Sequence, residues 1–265
     1  MAQPSAEMNL MHLWARMKVR CRRGMAEAMF RQPVQMRNTV PLISFTFDDF
    51  PRSAYLTGGD ILRHHGICGT YYTSLGLAGQ HSSVGTCFSL EDLKPLIDEG
   101  NELGCHTYAH CDAWETNPRE FEKSILENKL RLSELLPEAE FKTLSYPINH
   151  PRPHTKRRTA RHFMASRCGG QRFNSGVLDL NLLSAYFLEI GGYDLREVEE
   201  LIARNCAAKG WLIFATHDVC ENPTRYGCTP TFFEEVVKAS VASGAKVLPV
   251  TQALELVLNS NAGSR

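Results

Sequence analysis

Three groups of ionisable residues in this sequence follow directly on short apolar runs. Asp48 and Asp49 end the run Ser44-Phe-Thr-Phe-Asp-Asp, His106 and His110 follow Gly104-Cys, and His217 closes the run that starts at Trp211. Taken singly, each has a plain structural explanation. With ten histidines in the chain, a pair four apart arises by chance. Paired aspartates commonly form turns or cap helices, and a lone histidine after a strand is usually a hydrogen-bonded structural residue. Their joint occurrence, each at the same end of an apolar run, gives them weight. Chemically the set suffices for hydrolysis. Two histidines on one side of a helical turn can share a cation, and one aspartate adds an oxygen ligand. Three protein ligands leave a position open for water, as a catalytic zinc site requires. The second aspartate can accept a proton from that water, and His217 can give one to a leaving amine.

Such a site needs elements that bring three distant segments to one place. Apolar runs predict strands at Val40–Phe47, Thr70–Thr73, Glu102–Cys105, Thr143–Tyr146, Ala185–Ile190, Trp211–Thr216 and Lys246–Val250. Helical patterns lie between them: a stretch ending at Gly66, Ser89–Glu99 with Ser89 as cap, Arg119–Leu136, a basic Thr155–Ser166, Leu195–Ala208, Thr231–Ser243 and a last helix to about Leu258. In Arg119–Leu136 the residues Phe121, Ile125, Leu126 and Leu130 are assigned to the buried face. Gly66, Gly100, Gly210 and Gly244 stand where left-handed helix caps belong. Repeated βα units with continuous apolar strands predict an α/β protein, a (β/α) barrel of about seven strands. Chemistry in that architecture gathers at the C-terminal ends of the strands.

Quoted in order, Phe45-Thr-Phe-Asp-Asp, His106-Thr-Tyr-Ala-His110, Tyr146-Pro147 and Thr216-His217-Asp218 resemble the motifs of NodB-type polysaccharide deacetylases, carbohydrate esterase family 4. The resemblance spans roughly residues 40–250, and the whole chain is similar to the holdfast-polysaccharide deacetylases of stalked aquatic bacteria. It implies a distorted (β/α) barrel and a divalent metal, usually Zn2+. Asp49, His106 and His110 would hold the metal, Asp48 would be the general base and His217 the general acid. After Pro147, the backbone N–H of Ile148 would help bind the oxyanion. The chain departs from the pattern at several positions. Phe50 stands where the family has Gly, and Ser145 where it has an Arg two before the proline. Ile148 replaces an aromatic residue, and Ala215 replaces a Leu that lines the acetyl pocket. The fourth motif, whose Asp would orient the base through that Arg, has no match. Arg152, Arg167 or Arg172 could stand in, and the sequence does not choose among them.

At 265 residues the chain accommodates one large domain. Residues 1–38 read as an N-terminal basic amphipathic helical extension and 39–265 as the catalytic domain. Within Met8–Met29, Leu10, Leu13, Trp14, Met17, Cys21 and Met25 recur at helical spacing, with Arg16, Lys18, Arg20, Arg22 and Arg23 largely elsewhere. Such a helix can pack on the barrel, pair in a homodimer or lie on an anionic membrane. A second basic run, Arg152, Lys156, Arg157, Arg158, Arg161, Arg167 and Arg172, is either a solvated face or an attractor of a diphosphate-linked or anionic glycan. Zero net charge and the lack of a reading motif argue against nucleic acid. Nine scattered cysteines without a CxxC pair read as reduced thiols, and Cys105 and Cys111 as packing residues. With no signal-peptide pattern or apolar span, the expected place is the cytoplasm, with peripheral contact at the inner membrane face. The expected partner is an N-acetylated polysaccharide or lipid-linked oligosaccharide. Two other functions compete: hydrolysis of a small amide or imide, and a catalytically silent glycan-binding relative.

Overall fold

The run Leu42-Ile-Ser-Phe-Thr-Phe is buried at all six positions, so it needs cover on both faces, as a strand of a parallel sheet does. In a computed structural model, which describes residues 6–189 and 191–262, it opens a closed parallel barrel. The seven strands are β1 (Leu42–Phe47), β2 (Thr70–Thr73), β3 (Glu102–Cys105), β4 (Thr143–Ser145), β5 (Ala165–Gly169), β6 (Leu183–Phe187) and β7 (Trp211–Thr216). Each pairs with the next, and β7 closes the ring on β1 from Trp211 opposite Leu42 to Thr216 opposite Phe47. A further strand, β8 (Lys246–Val247), pairs with β1 at Leu42 and Ile43, whereas β2 pairs with it only at Thr46 and Phe47. One edge of β1 is thus shared between two strands, and the barrel is distorted there.

Alternation along the strands divides the core in two. Ile43, Phe45, Phe47, Leu212 and Phe214 face outward and join Phe233, Val236 and Val237 of the helix Pro230–Ala242. Leu42, Ala165, Leu183, Ala185, Trp211, Ile213 and Ala215 form a second cluster with Val250, Ala253, Leu254 and Val257 of the helix Val250–Ala262. That helix closes the N-terminal end of the barrel. Glu102, the first residue of β3, anchors it by accepting from Thr251 N and Oγ1 at 2.8 and 2.6 Å, and from Thr70 and Thr143 hydroxyls on the flanking strands. A carboxyl at a helix N-terminus is favoured by the helix dipole.

Local signals set most helix starts. Ser89 and Asp92 make a reciprocal capping box before Leu90–Asp98, and Asn117 caps Pro118–Leu135 with Pro at its first position. Three expectations change. In Pro118–Leu135 the buried stripe is Phe121, Ser124, Ile125, Asn128 and Leu132, while Leu126 and Leu130 are exposed. Polar Ser124 and Asn128 occupy the inner face because they bond to backbone, Asn128 to Thr73 O and Leu75 N. The basic helix is only Pro153–Thr159, and Ala165–Gly169 is strand β5. Its sequence, Ala-Ser-Arg-Cys-Gly, lacks strand-like apolarity because Arg167 points into the barrel. Lastly, Gly66, Gly100 and Gly244 take positive φ as expected, but before β7 it is Lys209 that does so. Gly210 is needed for room instead: a Cβ there would lie 2.6 Å from Asn205 Oδ1.

The helix Ala6–Ala28 leads into the strand Pro33–Gln35, which pairs antiparallel with Val177–Asp179. Fully buried Lys156 fastens this junction, donating to Ala26 O at 2.7 Å, Met29 O at 2.9 Å and Asp179 Oδ2 at 2.6 Å. Side chains of Met8, Leu10, Leu13 and Arg16, and the predicted strand end at Ile190, lie outside the described residues. All nine cysteines are unpaired.

Candidate active site

The C-terminal ends of β1, β3, β4 and β7 converge on one rim. Asp48 and Asp49 leave β1, His106 and His110 follow β3, Tyr146–Ile148 follow β4, and His217 follows β7. Buried Asp49 places Oδ1 3.2 Å from His106 Nε2 and 2.9 Å from His110 Nε2, and the three ligand atoms lie within 4.8 Å of one another. Burial opposes charge on Asp49, but contact with His106 and His110 holds its carboxyl far below the usual range. The same partnership raises the His110 imidazole against the effect of burial. His106 Nδ1–H donates to the Ser145 carbonyl at 2.8 Å, which leaves the Nε2 lone pair turned to the centre. A carbonyl behind a ligating imidazole is the usual way to fix that tautomer. Asp49 Oδ1 itself is buried without a well-aligned hydrogen bond. Two nitrogens and a carboxylate in this arrangement fit a divalent cation with an open position.

The histidine pair is not carried on a helical turn, contrary to the expectation from its spacing. Residues 106–110 form a loop in which Thr107 and His110 take φ of 60° and 48°. Ser124 Oγ accepts from the N–H groups of Tyr108 and Ala109, and Thr107 Oγ1 from that of Cys111. Asp49, Phe50 and Ile148 also have positive φ, so strained backbone is gathered at the site. At Phe50, packing holds the strain: its ring stacks on Phe88 at 4.7 Å and meets Tyr71 at 5.0 Å.

Asp48, next in sequence to Asp49, faces elsewhere. Its carboxylate accepts from both terminal nitrogens of Arg167, with Nη1 to Oδ2 at 3.3 Å, and from Ser145 Oγ at 3.3 Å. Arg167 is 1% exposed and sits opposite Ser145 in the β4–β5 register. The arginine missing from position 145 is therefore supplied at the same level by the neighbouring strand. Its guanidinium stacks 4.4 Å over Tyr72, whose ring occupies space that a Cβ on Gly104 would take. Arg172 instead reaches Glu27 and Ser184, and Arg152 is partly exposed at the start of Pro153–Thr159. Burial works against an ionised Asp48, yet Arg167, with His106 and His217, holds it below the usual carboxylate range. No spacing in the sequence marks Arg167; only the strand register does.

Ile148 projects into solvent at 67% exposure with φ 64°. The Pro147 carbonyl accepts from Asn149 N and Ala113 N, and no acceptor takes the Ile148 N–H among the described residues. His217 stacks on Phe187 with centroids 6.0 Å apart, and its Nδ1–H donates to Tyr226 O at 3.1 Å. Nε2 is thereby left free to serve the cleft. Glu189 Oε1 lies 3.9 Å from His217 Nδ1. Burial, with Asp48 and Asp218 adding to it, pushes the Glu189 carboxyl up to about 8. This residue, just past β6, went unnoticed in the sequence for want of a motif. Asp218 serves the fold, accepting from Thr224 N and Oγ1. Ala215 is fully buried beside Trp211 and Ile213.

Residues 35–163 match the family model described as polysaccharide deacetylase. Among solved structures, the peptidoglycan deacetylase PdaC from Bacillus subtilis aligns with TM-score 0.59 and 16% identity, over 85% of this chain and 95% of that one. The chitin deacetylase of the fungus Colletotrichum lindemuthianum aligns with the same score and identity, over 83% and 89%. A carbohydrate esterase family 4 pseudoenzyme from Bacillus anthracis also reaches 0.59, at 11% identity over 83% and 68%. No curated protein sequence matches the chain. Residues 35–163 of this chain thus match the polysaccharide deacetylase family, and its barrel shares the fold of carbohydrate esterase family 4 deacetylases. Its matched stretch contains Asp48, Asp49, His106, His110, Pro147 and Ile148; His217 and Arg167 lie beyond it.

Proposed function

We propose that the chain is a metal-dependent N-deacetylase acting on N-acetylated amino sugars of a bacterial exopolysaccharide, as polymer or as lipid-linked oligosaccharide, through a catalytic domain of residues 39–265 behind an N-terminal extension of residues 1–38. The observation that carries this is the parting of two adjacent carboxylates: Asp49 turns to His106 and His110, Asp48 to Arg167 and Ser145. Asp49, His106 and His110 would hold a divalent cation, for which zinc suits the donor set. When bound, that cation supplies Lewis acidity toward a water and an amide carbonyl. Asp48, kept ionised by Arg167, takes the proton as water attacks. His217 Nε2 delivers a proton to the departing sugar nitrogen, its Nδ1 held by Tyr226 O. The unclaimed Ile148 N–H donates to the oxygen that gains charge.

The presence of all five metal and acid–base residues weighs against a silent glycan-binding relative, although a pseudoenzyme shares the fold. Acetate release from chito-oligosaccharides, with and without added zinc, tests the reading. Zinc-stimulated release is expected. Glycan binding without release would mark a silent relative, and turnover confined to small amides or imides would move the substrate class.

A further inference from the structure

The helix Ala6–Ala28 changes character along its length. Its last turns pack on the catalytic mouth: Arg22 lies 4.9 Å over the Trp114 ring and pairs with Glu115, both on the segment that follows His110. Ala26 is fully buried. From Trp14 to Cys21, every residue with a described side chain is exposed. At 100° per residue, Trp14, Met17, Cys21 and Met25 fall within an arc of about 80°, and Trp14 and Met17 are 64% and 52% exposed. Lys18 and Arg20 flank this stripe on either side, and neither meets a carboxylate among the described residues. No helix among the described residues is long and apolar enough to cross a membrane. An apolar line containing Trp and bordered by free cations matches a bilayer interface, where rings and thioethers enter the acyl boundary and cations meet phosphate.

We infer that this helix lies on the surface of an anionic phospholipid bilayer and holds the mouth of the barrel against it. Charge complementarity selects that occupant over a second copy of the chain, whose own Lys18 and Arg20 would face the same cations across a paired stripe. A mouth held there suits an acetylated glycan carried on a lipid, a consequence that rests on the deacetylase reading.

Co-sedimentation of the full chain with phosphatidylcholine vesicles, with and without phosphatidylglycerol, tests the inference without using turnover. Binding only to the mixed vesicles, weakening as salt rises, is expected. K18Q/R20Q should bind on the order of twenty-fold more weakly, about fivefold for each cation lost. W14E/M17E should lose binding while hydrolysing soluble oligosaccharide like the parent, because both side chains are largely exposed and lie outside the candidate active site. Circular dichroism of both variants confirms that they fold. Equal binding to both vesicle types would overturn the inference. So would the absence of vesicle binding, whether or not a concentration-dependent dimer appears that W14E/M17E abolishes.

Discussion

Neighbouring carboxylates with different partners are the sharpest feature at the residue scale. Asp48→Asn is expected to keep its metal and lose turnover by roughly 10²–10⁴-fold, since an amide cannot take a proton. Asp49→Asn should lose metal affinity first, because a neutral oxygen brings no charge to the cation. Metal analysis beside turnover decides the pair, and the opposite pattern would reverse their roles. Arg167 makes a parallel case. Arg167→Lys keeps a charge but gives up the two-nitrogen contact with Asp48, so turnover should fall while metal content holds; unchanged turnover would leave Arg167 a purely structural residue. Glu189 sets a dependence on pH. Burial pushes its folded carboxyl up to about 8, from the ordinary 4.5, so the folded state keeps a proton that the unfolded chain releases. Stability from this group is full below the unfolded value and falls as pH rises toward 8. In metal-free protein, Glu189→Gln should match the parent at pH 4 and exceed it at pH 9 by up to about 5 kcal/mol, at roughly 1.4 kcal/mol for each pKa unit. Parallel stability curves for the two proteins would contradict this.

At the scale of elements, two devices do what apolar patterning cannot. One is β5, which reads as polar and carries Arg167 inside the barrel. The other is the junction at Lys156, where a single ammonium satisfies two helix-end carbonyls and Asp179. Removing one partner of a buried charge pair typically costs about 3–5 kcal/mol. Lys156→Met should therefore lower the unfolding free energy by that order, read as a lower denaturation midpoint, with the helix Ala6–Ala28 as the first segment to lose protease protection. An unchanged midpoint would mean that the junction contributes nothing net. Phe50 shows the converse, an aromatic residue at a left-handed backbone position held by Phe88 and Tyr71. In this chain, ring packing takes over a task that glycine performs by conformational freedom.

For the whole molecule, barrel closure is what turns separated segments into one site. Asp48, just past β1, reaches Arg167 on β5 across the interior, a contact only a closed sheet allows. Chelation is expected to abolish activity and added zinc or cobalt to restore it, with circular dichroism unchanged, since the core does not depend on the ion. Full turnover by exhaustively demetallated protein would exclude the metal reading.

The sequence by itself determined the α/β barrel class and six of its seven strands, because buried parallel strands are short apolar runs between helical patterns. It also placed Asp48, Asp49, His106, His110 and His217 at the ends of apolar runs, where the barrel gathers them at one rim. The tertiary structure alone decided the rest. Position 145 lacks its arginine, and three candidates stood equal until the β4–β5 register put Arg167 opposite Ser145. The His106–His110 spacing suggested a helical turn, but hydrogen bonds from Tyr108 N and Ala109 N to a distant helix residue, Ser124, shape a loop there. Glu189 enters the site only because β6 lies beside β7. Periodicity reports which side of an element is buried. Which polar group meets which depends on strand register and on pairings between residues far apart in the chain, and these exist only once the barrel has closed.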